Sequence, residues 1–153
     1  MDFTYFLPVL YAFIACLGFG GLYNLHGNPV FWAALGGALG WLAYLLTLLV
    51  ASDLAAAFVS AAVVAFYAEV MARAQKRPVP TYLLIGVIPM VPGAGIYHTM
   101  EFCIQGDTMQ FIETGLHTLG IAGSLAVGIL VVDSTWRMIR IFQRRQKKLH
   151  SSP

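Results

Sequence analysis

The stretch Tyr82-Leu83-Leu84-Ile85-Gly86-Val87-Ile88-Pro89-Met90-Val91-Pro92-Gly93-Ala94-Gly95-Ile96-Tyr97 begins as an apolar helix and cannot continue as one. Pro89 and Pro92 have no amide proton, so an unbroken helix would leave the carbonyls of Ile85 and Ile88 without partners. Each proline inside a helix costs roughly 3 kcal/mol. Gly93 and Gly95 then permit positive φ or close approach of another backbone. Such a cluster near the middle of a membrane span is tolerated only where it is packed in protein or lines a wet cavity. Discontinuous helices at the bilayer midplane are also how transporters present backbone groups to a solute. The plainer alternative is a kinked helix that only packs.

The membrane setting follows from the residues around this stretch. Of 153 residues, 59% are hydrophobic and 10% charged, whereas soluble domains carry roughly 25% charged residues. So few charges cannot cover a water-facing surface. Apolar runs at about 3–23, 30–50, 54–71, 82–100 and 116–141 each approach or exceed the roughly 20 residues that cross the hydrocarbon. Ala51-Ser52-Asp53 separates the second run from the third and reads as a tight helical hairpin, with Ser52 or Asp53 as the cap. Asn24 to Pro29, with Gly27, forms the turn between the first two. The fold expected is an all-α integral membrane protein of about five spans, the fourth broken at Pro89–Gly95. One domain is expected over 1–153, with a basic tail at 142–153. Met1-Asp2-Phe3 lacks a basic lead-in, so a cleaved signal is not expected.

Charge placement orients the spans. Arg73, Lys76 and Arg77 follow the third run; Arg137, Arg140, Arg144, Arg145, Lys147 and Lys148 close the fifth. The alternative, a re-entrant fourth segment, would put the clusters on opposite faces; with two crossings between them both lie on one side, and the positive-inside rule makes that side cytoplasmic. The C-terminus is then cytoplasmic and the N-terminus outside, in a bacterial inner membrane. The connection carrying Glu101, Asp107 and Glu113 has no basic residue and falls outside. The basic tail suits anionic lipid headgroups rather than nucleic acid.

Helices in lipid associate where small residues let backbones approach. Gly36 and Gly40, the alanines 57, 61, 65 and 68, and Gly120, Ser124 and Gly128 give three runs such faces. Three faces on a small chain suggest a partner or self-association. Glu69 and Asp133 each have an arginine four residues on, Arg73 and Arg137, a spacing that pairs acid and base on one helix face. Intramembrane carboxylates can also carry protons. His98 and His117 bear the side chain that changes charge near neutral pH. Cys16 and Cys103 lack disulfide or zinc logic. No cofactor motif and no enzyme constellation stands out.

Ile88-Pro89-Met90-Val91-Pro92-Gly93-Ala94-Gly95-Ile96-Tyr97, then Ile104-Gln105-Gly106-Asp107, then an apolar helix with Gly120, Ala122 and Gly128, resemble the threonine/serine exporter (ThrE) family. The closer likeness is to the small subunit of its split, two-component form (the YjjB type). Pro89, Pro92, Gly93, Gly95, Tyr97, Gly106 and Asp107 match the family pattern.

The resemblance implies a secondary transporter that exports threonine- or serine-like amino acids, or a dicarboxylate such as succinate, on the proton motive force. It implies a larger partner subunit with a cytoplasmic region. Solute would bind at Pro89, Pro92, Gly93, Gly95 and Tyr97, with freed amides near Gly93 holding a carboxylate and freed carbonyls accepting from an ammonium or hydroxyl. Glu69, Asp107, Asp133 and His98 are the candidates for the coupling proton. The rival expectations are a non-transporting scaffold and a small homo-oligomeric channel.

Overall fold

Short turn signals divide the chain as helix-stop chemistry requires. The computed structural model describes residues 6–150, with side chains described as far as Phe142, and every regular element among them is helical. The elements are α1 (Leu7–Leu22), α2 (Asn28–Leu48), α3 (Asp53–Ala74), α4 (Val79–Val87) running into a 3₁₀ turn (Ile88–Met90), α5 (Gly93–Gln105) and α6 (Thr108–His150). Helix α1 ends on Asn24 in the left-handed region and α3 on Lys76, φ 56° and 53°. In each case the next amide reaches back to the helix, Leu25 N to Gly20 O and Arg77 N to Ala72 O, which satisfies carbonyls the helix end leaves open. Ser52 caps α3, accepting from Ala55 N, as the hairpin reading expects.

Helices α2 and α3 and residues Thr108–Phe142 of α6 are long and apolar enough to cross a membrane. The pair Val79–Met90 and Gly93–Gln105 counts as a fourth crossing only if its 49° bend lies within one span. Helix α1 has 16 residues, short of the roughly 20 a span needs; residues 3–5 of the expected first span lie outside the described residues. The arrangement is thus three candidate spans, or four with the bent pair. Most of the basic tail lies beyond the described side chains.

Helices α1, α2, α3 and α4 pack around a core in which small side chains of α1 to α3 meet Tyr82 and Ile85 of α4. Cys16, Ala33, Ala34, Ala68, Tyr82 and Ile85 are buried together, and Ala57, Ala61, Val64, Met90 and Leu125 form a second cluster. The small-residue faces read from the sequence lie in these seams: Gly40 meets Met90 and Val64, and Ala57, Ala61, Ala65 and Ala68 are all buried. Helices α3 and α6 run parallel, since Leu54 meets Gly120, Phe58 meets Gly128, and Phe66 stacks on Trp136. At Gly128 an added Cβ would stand 2.6 Å from the Phe58 carbonyl oxygen, so backbone contact there depends on glycine.

One expectation changes. The stretch read as an outer loop, with Glu101, Asp107 and Glu113, is almost entirely helical: Glu101 lies on α5 and Glu113 on α6. The link is Gly106-Asp107. Gly106 takes φ 76°, while Asp107 N bonds Phe102 O and Gly106 N bonds Cys103 O, closing α5. Asp107 then opens α6 by accepting from Gln110 N at 3.1 Å. The polar residues are spaced for helix, with His98–Glu101 and Asp107–Gln110 pairs three apart.

Helix α6 has 43 residues, about 65 Å at 1.5 Å per residue. Because Gly120 stands beside Leu54, α6 runs on past the start of α3, and α5 packs against that extension, Gly95 on Thr118 and Gly115 on Thr99. Helix α5 contains no buried residue.

Candidate functional site

The break sits where the sequence places it. Met90 packs on Ser60, Val64 and Gly40, near the middle of α3. Val91 then runs extended, with ψ 127°, and Pro92, at φ −75° and ψ 58°, centres a tight inverse γ-turn before α5 begins at Gly93. The 3₁₀ turn and this short link divert the chain from the bundle and leave a cleft of ≈ 420 Å³. Its floor and one wall are Pro89 through Gly95. Trp41 and Tyr44 of α2, Ala57 of α3, and Thr114, His117, Thr118, Ile121 and Leu125 of α6 complete it.

The backbone groups disturbed by the prolines find partners. The Cys16 thiol, fully buried on α1, donates to Ile85 O at 3.2 Å. This is the carbonyl Pro89 leaves open, so the cysteine replaces a missing amide. The Ile88 carbonyl, left open by Pro92, accepts from Val91 N at 3.2 Å. Both carbonyls expected to face a solute are therefore engaged within the protein. At the start of α5, Gly93 N bonds Val91 O and Ile96 N bonds Pro92 O. The amides between them, of Ala94 and Gly95, belong to a first turn, whose N–H groups have no partner inside the helix. Both residues line the cleft.

Side chains from three helices meet there. The Tyr44 hydroxyl donates to Asp53 Oδ1, and His117 Nε2 lies 3.4 Å from Asp53 Oδ2. In the sequence Asp53 is a candidate cap and His117 stands 64 positions away; the two are joined only by the fold. Trp41 is tilted against Tyr44, ring centroids 5.4 Å apart. Its indole nitrogen is the one buried side-chain polar atom without a partner among the described residues.

Of the predicted solute-binding residues, Pro89, Pro92, Gly93 and Gly95 come together in this cleft. Tyr97 does not; it is exposed and lines a shallow groove with Met100, Glu101, Ile104 and Gln105. The four proton-coupling candidates are dispersed. His98 pairs with Glu101 at 3.0 Å, Asp107 caps α6, and Asp133 pairs with Arg137 at 3.1 Å. Glu69 is buried and held by two guanidinium groups, Arg73 at 2.7 Å and Arg140 at 3.3 Å. Arg73 in turn lies 4.0 Å over the Trp136 ring. Among the described residues no group of His, Cys, Asp and Glu is arranged to hold a metal ion.

Neither the curated proteins nor the solved structures contain a match to the chain. A family model described as Threonine/Serine exporter, ThrE, matches residues 8–135, from the start of α1 to the last third of α6, and so includes every wall of the cleft. With apolar helices long enough to cross a bilayer and a match over most of its length, the chain is a multi-pass membrane protein that belongs to the threonine/serine exporter family, a family of transporters rather than enzymes.

Proposed function

We propose that this chain is the small membrane subunit of a secondary transporter that exports threonine- or serine-like amino acids, or a dicarboxylate such as succinate, on the proton motive force. The observation that carries the proposal is the interruption of the fourth segment, whose residues Pro89 to Gly95 line a cleft instead of an unbroken helical face. Its volume falls within the range of small-molecule pockets. The Ala94 and Gly95 amides, at the positive end of α5, suit a solute carboxylate. The Trp41 indole N–H supplies an unpaired donor, and a buried donor left unpaired costs roughly 1–3 kcal/mol unless a ligand meets it.

A larger family-related subunit completes the transporter. Helix α5 buries none of its residues, yet exposes Ile96, Tyr97, Met100 and Ile104. A partner lying on that face would bring Tyr97 into an enclosed path. With the basic clusters cytoplasmic, the cleft lies toward the outer end of the bundle, the chain starts outside, and the cell membrane of a bacterium is its setting.

The test is flux. The chain and its partner, purified together and placed in proteoliposomes under a pH gradient, should move labelled serine, threonine or succinate. Gly95→Leu, whose side chain would collide with Thr118, should abolish movement while the pair still assembles. No flux from the assembled pair with any of the three solutes would overturn the proposal, and ion conductance from this chain alone would replace it with a channel.

A further inference from the structure

We infer that Asp53 and His117 form a proton-operated clasp across the mouth of the cleft. The inference rests on the transport reading for its meaning and on geometry for its existence. Asp53 is at the first turn of α3, His117 is on α6, and the cleft lies between the walls those helices support. A protonated imidazole opposite the carboxylate makes a charge-assisted contact roughly twice as strong as the neutral one. The clasp is therefore tight at low pH and loosens as pH rises through the range where histidine loses its proton. Tyr44 joins the device by donating to the other oxygen of Asp53, which fixes the carboxylate toward His117.

The groups around His117 leave the imidazole as the proton-sensitive element. From α3 it faces Asp53; from α2, Tyr44, whose hydroxyl is bonded to Asp53. On α6 itself the nearest titratable side chain is Glu113, one turn earlier. On α5 the titratable side chains are Tyr97, His98, Glu101 and Cys103; none lines the cleft, and His98 and Glu101 pair with each other. No lysine or arginine lines the cleft. In the orientation proposed above, the clasp meets the proton-rich side, so a proton arriving after solute release draws the mouth together.

Trp41 reports on the clasp without any need for transport, because it lies against Tyr44 in the same cleft. In full-length protein carrying Trp32→Phe and Trp136→Phe, Trp41 emission should show a step between about pH 5 and pH 8. The step should be lost in His117→Gln and in Asp53→Asn, and kept in His98→Gln. In proteoliposomes with the partner, His117→Gln should flatten the pH dependence of flux. A step that survives His117→Gln, or its absence from the parent, overturns the clasp. A His117-dependent step without solute movement in the unaltered pair leaves the clasp standing and removes the transport reading. Flux whose pH profile ignores His117→Gln removes the clasp from the transport cycle.

Discussion

Helices α3 and α6 are joined by acid–base contacts at both ends, and the two junctions are made of different groups. At the basic end, the Glu69 side chain is 3% exposed and meets two arginines, one on its own helix and one on α6. Guanidinium does not lose its proton in proteins, and Trp136 covers one of the two. At the other end, Asp53 and His117 are 31% and 52% exposed, and the base is an imidazole rather than a guanidinium. The first junction pairs fixed charges, whereas the proposed clasp makes the second depend on a proton. On that proposal the two helices part first beside the cleft, where the fourth segment is already broken.

The comparison can be broken at several points. Replacing Arg73 and Arg140 together by Ala strands the buried carboxylate; breaking such a pair costs about 3–5 kcal/mol, measurable by denaturation in detergent. A loss of only a few tenths would put this junction on the same footing as the exposed one. Between the two ends, Gly128→Leu forces α6 off the Phe58 carbonyl and should cost about 1–3 kcal/mol. Its denaturation midpoint would show whether the seam between the ends is close-packed. Next comes the link that feeds the cleft. Cys16→Ser keeps a donor for Ile85 O, whereas Cys16→Ala removes it, and their stabilities should differ by about 1 kcal/mol. In a Pro89→Ala background, where an amide can return to Ile85, that difference should shrink, and a double-mutant cycle reads the coupling. The smallest change should come from Asp53→Asn, about 0–1 kcal/mol as for other exposed pairs. A larger loss there would make the clasp a structural tie.

Much of this plan is legible in the residues because it is local. Proline and glycine spacing locates the break, Ser52 marks the cap, and alanine and glycine periodicity marks the seams. The Glu69–Arg73 pair is likewise readable from a spacing of four, but its second arginine stands 71 positions along the chain. Distance in sequence hides the rest. Cys16 serves a carbonyl 69 residues away, and nothing near Asp53 announces His117. The segment after Met100 misleads for another reason. Its charges suggest a loop, whereas a helix lying outside the bundle needs polar side chains along its length. The termination at Gly106 and restart at Asp107 carry the correct signal.

The two sulfhydryls have unequal access to reagents. Cys16 is sealed among α1, α2 and α4, with its hydrogen committed to Ile85 O, while Cys103 is exposed on α5. A maleimide dye should therefore decorate native protein at a single position without any engineered cysteine. Because that position lies on the protruding hairpin, an impermeant version of the dye, added to whole cells, reads out which face of the membrane the hairpin occupies.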